Sequence, residues 1–188
     1  FFAPPVWRRG ALPRQAVFST VAPFRSLAWI SLTGQAACMA EFRITELEPA
    51  PFAYVTRTCA AQDVGRVVSE TFAQLSAAFA TAGARPQGAP MAHFSPAADD
   101  RVHVELGFPV DEHVTGPLHI AGLNIAETYA GRAMCAVHGG DYTTLRETYD
   151  AMIAAIRDAG MKPAADMWER YGGEGEAVQV EVIWPLAR

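Results

Sequence analysis

The chain has 188 residues, 51% hydrophobic and 19% charged, which describes a folded globular domain and excludes a disordered one. No apolar run approaches the ~20 residues of a membrane-spanning helix, and three cysteines without metal-finger spacing indicate free thiols, so we expect a cytoplasmic protein. All 20 acidic residues but only 11 of the 15 basic ones follow position 40, and so negative a body argues against direct nucleic acid binding.

Residues 1–40 differ from the rest of the chain. They contain four arginines, four prolines and no acidic residue, and their apolar positions keep neither a helical nor a strand period. We therefore predict an irregular N-terminal extension, with Met39 resembling a fresh start. A targeting signal stays open as an alternative, because arginines precede the short apolar run 27–32. The prolines leave no room for a helix-turn-helix.

The first structured unit follows this extension. A strand is predicted at 52–58, and a helix begins at Asp63 and ends at Gly83. Its apolar positions recur at spacings of four, three and four: Val68, Phe72, Leu75 and Phe79. Two further strands are predicted at about 90–95 and 101–109, joined by a polar turn.

A second unit follows a long connection at 111–128. A strand is predicted at 130–138, and Asp141 caps the helix that comes next. The apolar stripe of that helix is Leu145, Tyr149, Met152 and Ile156. Strands at about 165–171 and 177–184, separated by a linker at 172–176, close the unit.

These two units are copies of one another. Segments 69–75, 82–86 and 102–110 return in the same order at 146–152, 159–163 and 178–186. A copy of about 75 residues is small for an independent core. We therefore predict an α+β fold in which two pseudo-symmetric strand-helix-strand-strand modules, about 41–110 and 129–188, form antiparallel sheet with a central ligand groove.

Strand alternation sorts the side chains that are candidates to line this groove. The candidates are Glu105, Glu169, Glu181 and His103, beside Tyr171 and Phe94. Trp168 falls opposite Glu169, and both Trp168 and Trp184 are better explained as core residues. The charges on the closing strands are equally compatible with a solvated sheet face. The histidines lack a metal-ligand spacing, and no cofactor motif occurs, so we expect neither metal nor cofactor.

A carboxylate among aromatic rings is suited to a lipophilic cation. Each ring face attracts the cation by about 0.5–2 kcal/mol, and the positive charge compensates the lost hydration of the carboxylate. The same surroundings raise the pKa of a carboxyl group, which then exchanges protons near neutrality.

Two motifs carry a resemblance to a known family: Trp168-Glu169-Arg170-Tyr171 followed by the closing strand 178–186, and His138-Gly139-Gly140-Asp141-Tyr142 at the helix entry. Over about 41–188 the chain resembles the GyrI-like small-molecule-binding domains, found in gyrase-inhibitory proteins and as effector domains of AraC- and MerR-type multidrug regulators. The resemblance implies a groove between the modules, with Glu169 as acidic ligand-binding residue and Tyr171 as its aromatic companion. Tyr142 and Trp168 are further candidate ligand-binding residues.

Three functions follow from this resemblance. The first is a stand-alone binder of lipophilic, cationic small molecules. The second is a hydrolase that opens strained cyclopropane rings, with Glu169 as its catalytic acid/base. The third is a protein that partners gyrase or a regulator. Two departures matter: we find no DNA-binding domain in the sequence, and Ala92 stands where the second unit has Glu169.

Overall fold

The computed structural model describes residues 41–172 and 179–187, which hold nine strands and three α-helices. The strands are β1 (Phe42–Leu47), β2 (Pro51–Ala60), β3 (Met91–Pro96), β4 (Arg101–Pro109), β5 (Asn124–Glu127), β6 (Gly131–Gly139), β7 (Lys162–Pro163), β8 (Met167–Gly172) and β9 (Gln179–Ala187). The helices are α1 (Val64–Thr81), α2 (Thr115–Ile120) and α3 (Leu145–Asp158). The extension 1–40 and most of the linker predicted at 172–176 lie outside the described residues.

The predicted α+β fold with two pseudo-symmetric modules is confirmed. Eight strands form one open antiparallel sheet in the order β1-β6-β9-β8-β3-β4-β2-β5, and the short β7 pairs with β9. This order reads the same from both ends when each strand is replaced by its copy in the other unit. The modules meet where β3 pairs with β8, and a pseudo-twofold axis passes through that ladder.

The two modules exchange their outer strands. β1 precedes β2 in the chain but pairs with β6 of the second unit, and β5 precedes β6 but pairs with β2 of the first unit. The connection 111–128 therefore contains an edge strand and the short helix α2, which the sequence pattern did not reveal. Each module completes the sheet of the other, so the two units fold as one body.

This exchange also curls the sheet. β1 and β2 lie six strands apart, about 29 Å in a flat sheet, yet residues 48–50 join them and reach only about 14 Å. The sheet must therefore bend to bring its ends together. A small apolar cluster fills the concave face, including Phe52, Met91, Trp168 and Ile183. The backbone of Thr128 donates to the carbonyl of Ala50 where the two linkers meet.

The main core lies on the other, convex face, under α1 and α3. The predicted stripe of α3 is buried throughout, and Val68, Leu75 and Phe79 of the α1 stripe are buried with it. Asp141 accepts a hydrogen bond from the backbone of Thr143, so it caps the 3-10 turn Tyr142–Thr144 that leads into α3. The N-cap of α3 itself is Thr144 and not the predicted Asp141. Within the described residues, none of the helices is long and apolar enough for a bilayer.

A substitution at Gly107 can test the close approach of β2 and β4. A Cβ atom there would lie 2.1 Å from the carbonyl oxygen of Ala53, and this backbone cannot move without breaking the ladder. We expect Gly107→Ala to lower the free energy of unfolding by about 3 kcal/mol or more, measured by urea unfolding. Gly65→Ala is the control, because Gly65 lies in α1 with open space around its Cα. It should instead stabilise the protein by about 0.5–1 kcal/mol, and a stable Gly107→Ala variant would contradict this packing.

Candidate functional site

Glu169 is a buried carboxylate at the centre of the sheet. It lies on β8 and is 2% exposed. Its Cα partner across the seam is Ala92 of β3, which is also its equivalent in the repeat. Alternation places Glu169 on the convex face with Met167 and Tyr171, because each of them lies two positions from it along the strand. A charged group therefore sits inside the main core, beneath the helices.

Two tyrosine hydroxyls satisfy this carboxylate. The hydroxyl of Tyr149, a fully buried residue of α3, donates to Oε1 of Glu169. The hydroxyl of Tyr171, two residues further along β8, donates to Oε2 at 2.5 Å. Each carboxylate oxygen thus has one strong neutral donor. No Lys, Arg or His forms an ion pair with Glu169 among the described residues.

The electrostatics of the site favour a protonated or cation-paired carboxyl group. Burial raises the pKa of Glu169, and the hydrogen bonds from Tyr149 and Tyr171 offset only part of this increase. Burial and the nearby Glu169 charge also raise the pKa of both tyrosines well above the usual value. Tyr142 follows the same pattern, with burial and then Glu169 raising its pKa to about 12.

Aromatic rings surround the carboxylate on both sides. The ring of Tyr171 meets Phe72 of α1 edge-on, with centroids 5.6 Å apart, and Phe72 meets Phe108 at 5.8 Å. On the α3 side the ring of Tyr149 meets Trp184 at 6.4 Å. Phe72, on the first unit's helix, thus contacts a tyrosine of the second unit. The carboxylate therefore lies within an aromatic wall built by both modules.

The predicted site residues divide between the two faces of the sheet. Glu169, Tyr171 and Phe94 lie on the convex face, and Tyr142 lies in the turn that leads into α3. Trp168 packs in the concave cluster, as its parity predicted. The expectation that Glu105, Glu181 and His103 line one groove with Glu169 is wrong. All three lie on the concave face. Glu105 is the ladder partner of His93, which in turn is the partner of Trp168, and His103 lies two positions from Glu105 on the same strand. Glu181 is the partner of Arg170, which lies two positions from Trp168.

The concave-face charges form their own pairs. His93 stacks on Trp168 at 4.4 Å and bonds to Glu105 at 2.8 Å and to Asp166 at 3.0 Å. Burial lowers the pKa of His93, but these two hydrogen bonds outweigh it, so the pKa is raised. Glu181 is held by Arg170 at 2.9 Å and by Arg43. Asp166 and Arg43 each cross the module boundary, so these pairs join the two modules.

The sequence alone does not reveal the role of Tyr149. Its position in an apolar stripe indicates burial. Nothing in that stripe shows whether the tyrosine only packs its ring or also forms a hydrogen bond through its hydroxyl. The repeat itself holds the missing signal. Tyr149 and Tyr171 replace Phe72 and Phe94 of the first unit, in parallel with Glu169 replacing Ala92. At three repeat positions the second unit has polar side-chain atoms and the first unit has none, which indicates that the three positions belong to one site.

Chemically, this arrangement suits a cation. A metal-binding group of three or more His, Cys, Asp or Glu side chains is absent from residues 41–172 and 179–187. What the site offers is one negative charge and aromatic faces. A cationic ligand would neutralise the carboxylate without requiring it to take up a proton.

Comparisons with known proteins identify the family and the fold. A family model described as a GyrI-like small molecule binding domain matches residues 40–187. The fold is similar to that of SAV2435 bound to tetraphenylphosphonium, with 10% identity, a TM-score of 0.55, and coverage of 78% of this chain and 94% of that one. No curated protein has significant sequence similarity to the chain described here.

Two further structures share the fold. The C-terminal domain of EcmrR has 13% identity and a TM-score of 0.57, with coverage of 80% of this chain and 99% of that one. A hydrolase from Listeria innocua has 14% identity and a TM-score of 0.52, with coverage of 78% and 92%. At these identities the similarity concerns the fold alone.

The raised pKa of Glu169 predicts a characteristic pH dependence of stability. A carboxyl group that binds its proton more tightly when folded contributes most stability below its unfolded pKa, and loses this contribution as the pH rises through the folded pKa. We expect Glu169→Gln to gain stability relative to the wild type as the pH rises above about 4.3, the usual pKa of a glutamate, measured by thermal or urea unfolding. The exposed Glu46→Gln is the control and should change stability by less than about 0.5 kcal/mol. A stability difference between the wild type and Glu169→Gln that does not change with pH would contradict the raised pKa of Glu169.

Proposed function

Since this chain belongs to the family of GyrI-like small-molecule binding domains, we propose that it binds lipophilic cations on the convex face, with Glu169 as the counter-charge. The observation that carries this proposal is a carboxylate 2% exposed whose described partners are neutral. A buried charge of one sign selects ligands of the other, because an anion would meet repulsion and a neutral ligand would leave the charge uncompensated.

The tyrosines act as substitutes for the ligand in the free protein. Their hydroxyls occupy both carboxylate oxygens, and they hold the side chain in place while the cation is absent. The nearly complete burial of Glu169 means that a ligand enters only when covering side chains move. Tyr149 is fully buried and Tyr171 is partly exposed, so Tyr171 is the more exposed of the two hydrogen-bond donors.

Aromatic contacts supply the rest of the affinity. The rings of Phe72, Phe108 and Trp184 extend the apolar surface on either side of Tyr171 and Tyr149. Each ring adds about 0.5–2 kcal/mol for a cation and tolerates varied ligand shapes. SAV2435, which shares the fold at low identity, was solved with tetraphenylphosphonium, so this ligand is a suitable first probe.

Tetraphenylphosphonium binding tests the proposal. We expect saturable binding to the wild type by isothermal titration calorimetry, and affinity about 10–100-fold lower for Glu169→Gln, because an interaction with a charged group is worth about 1.5–3 kcal/mol. Tetraphenylborate, which has the same shape and the opposite charge, should not bind. Glu105→Gln is the matched variant: its carboxylate lies on the concave face, so its affinity should stay at the wild-type value. No binding to the wild type, or equal affinity for Glu169→Gln, would contradict the proposal.

A second function, hydrolysis of strained-ring electrophiles, is favoured by the raised pKa of Glu169. A carboxyl group of this kind donates a proton to one carbon as the strained carbon–carbon bond breaks. A water oxygen bonds to the other carbon and returns a proton to the carboxylate. A hydrolase from Listeria innocua shares the fold.

Mass spectrometry distinguishes this activity from binding. Wild-type protein incubated with an excess of a cyclopropane electrophile should convert it to a product heavier by one water over many turnovers, and Glu169→Gln should lose this activity. Glu105→Gln, with its carboxylate on the other face, should retain it. An electrophile recovered unchanged would exclude hydrolysis and leave binding as the function.

A further inference from the structure

The pseudo-twofold axis passes beside the candidate site. Ala92 and Glu169 are equivalent positions of the two units and also direct partners in the β3–β8 ladder. Only residues beside the axis can be both equivalent in the repeat and paired with one another in the ladder. The carboxylate therefore lies at the middle of the convex face, and equivalent surfaces of the two modules extend from it in opposite directions.

These two surfaces differ chemically. The second unit offers Tyr149, Tyr171 and Glu169, which are joined by hydrogen bonds. Their equivalents in the first unit are Phe72, Phe94 and Ala92, and none of the three has a polar side-chain atom. At these three positions one half of a symmetric arrangement therefore carries polar groups and the other half carries none.

The apolar half is continuous with the carboxylate. Phe72 contacts the ring of Tyr171 at 5.6 Å and the ring of Phe108 at 5.8 Å, and Phe108 contacts Phe79 at 5.2 Å. Phe79 and Phe108 are both buried. A row of rings therefore leads from the charged end of the site to the core residues beneath α1.

From this asymmetry we infer that the site takes an amphiphilic monocation in one orientation, with its charge at Glu169 and its apolar part along Phe72 under the first module, and that it rejects dications. This inference rests on the proposed function and specifies its ligand class. A second positive charge placed among Phe72, Phe94 and Phe108 would lose its hydration without meeting a carboxylate.

A pair of size-matched ligands tests this inference. Both carry a triphenylphosphonium on a short alkyl chain, which ends either in a trimethylammonium group or in a tert-butyl group of the same shape. We expect the wild type to bind the tert-butyl monocation at least about tenfold more tightly than the dication. At about 0.15 M salt the acidic body attracts the dication more strongly at long range. A preference for the monocation must therefore arise in the site.

Phe72 offers a matched pair of variants. It is partly exposed, so α1 should accept a polar side chain there. Phe72→Glu supplies the missing carboxylate and should narrow or reverse the preference for the monocation. Phe72→Gln has the size of that glutamate without its charge. It should bind both ligands more weakly, because it removes the ring along which the apolar part lies, but it should still bind the monocation more tightly than the dication. Circular dichroism checks that both variants are folded, and the wild-type comparison decides the question if either is not.

The outcomes separate the inference from the function on which it rests. Equal affinity of the wild type for monocation and dication, with Glu169 still required, would overturn the inference and leave cation binding intact. An unchanged preference in folded Phe72→Glu would also overturn it. Failure of the wild type to bind either ligand, or tetraphenylphosphonium, would overturn the proposed function and the inference together.

Discussion

The rest of the site depends on one physical constraint, the burial of the Glu169 carboxylate. A charge inside the core is tolerated only when strong hydrogen bonds or an opposite charge compensate its lost hydration. Here Tyr149 and Tyr171 provide two hydroxyls, which leave the pKa raised and the charge uncompensated. The protein thus retains a destabilised group at its centre, a feature typical of functional sites.

The position of this carboxylate on the pseudo-twofold axis explains why the duplication is imperfect. Directly opposed residues on one face of an antiparallel pair have Cβ atoms about 4.5–5.5 Å apart. A second glutamate at Ala92 would therefore place two buried carboxylates side by side, and one of them would have to take up a proton. Once one unit carries the charge, Phe72 and Phe94 of the other unit have no group that needs a hydroxyl.

The exchange of β1 and β5 produces the rest of the architecture. Short linkers between distant strands force the sheet to curl, and the curl separates a small concave cluster from the helix-covered core. This separation divides the acidic residues by role. Glu105 and Glu181 form ion pairs on the concave face, where the His93–Asp166 and Arg43–Glu181 contacts join the modules. Glu169 remains on the convex face among aromatic rings.

The sequence by itself determined α1, α3, the strands of the two repeated units and the duplication, because hydrophobic periodicity and repeat offsets need no knowledge of contacts. The resemblance to a known family then singled out Glu169 among the candidate residues. The sequence also separated Trp168 from Glu169 by parity. Only the tertiary structure decided which charges share a face with Glu169, since register and strand exchange set how strands 60 or more residues apart align. It also revealed the hydroxyl of Tyr149 on the carboxylate, because an apolar stripe records that a side chain is buried and not which distant group it meets.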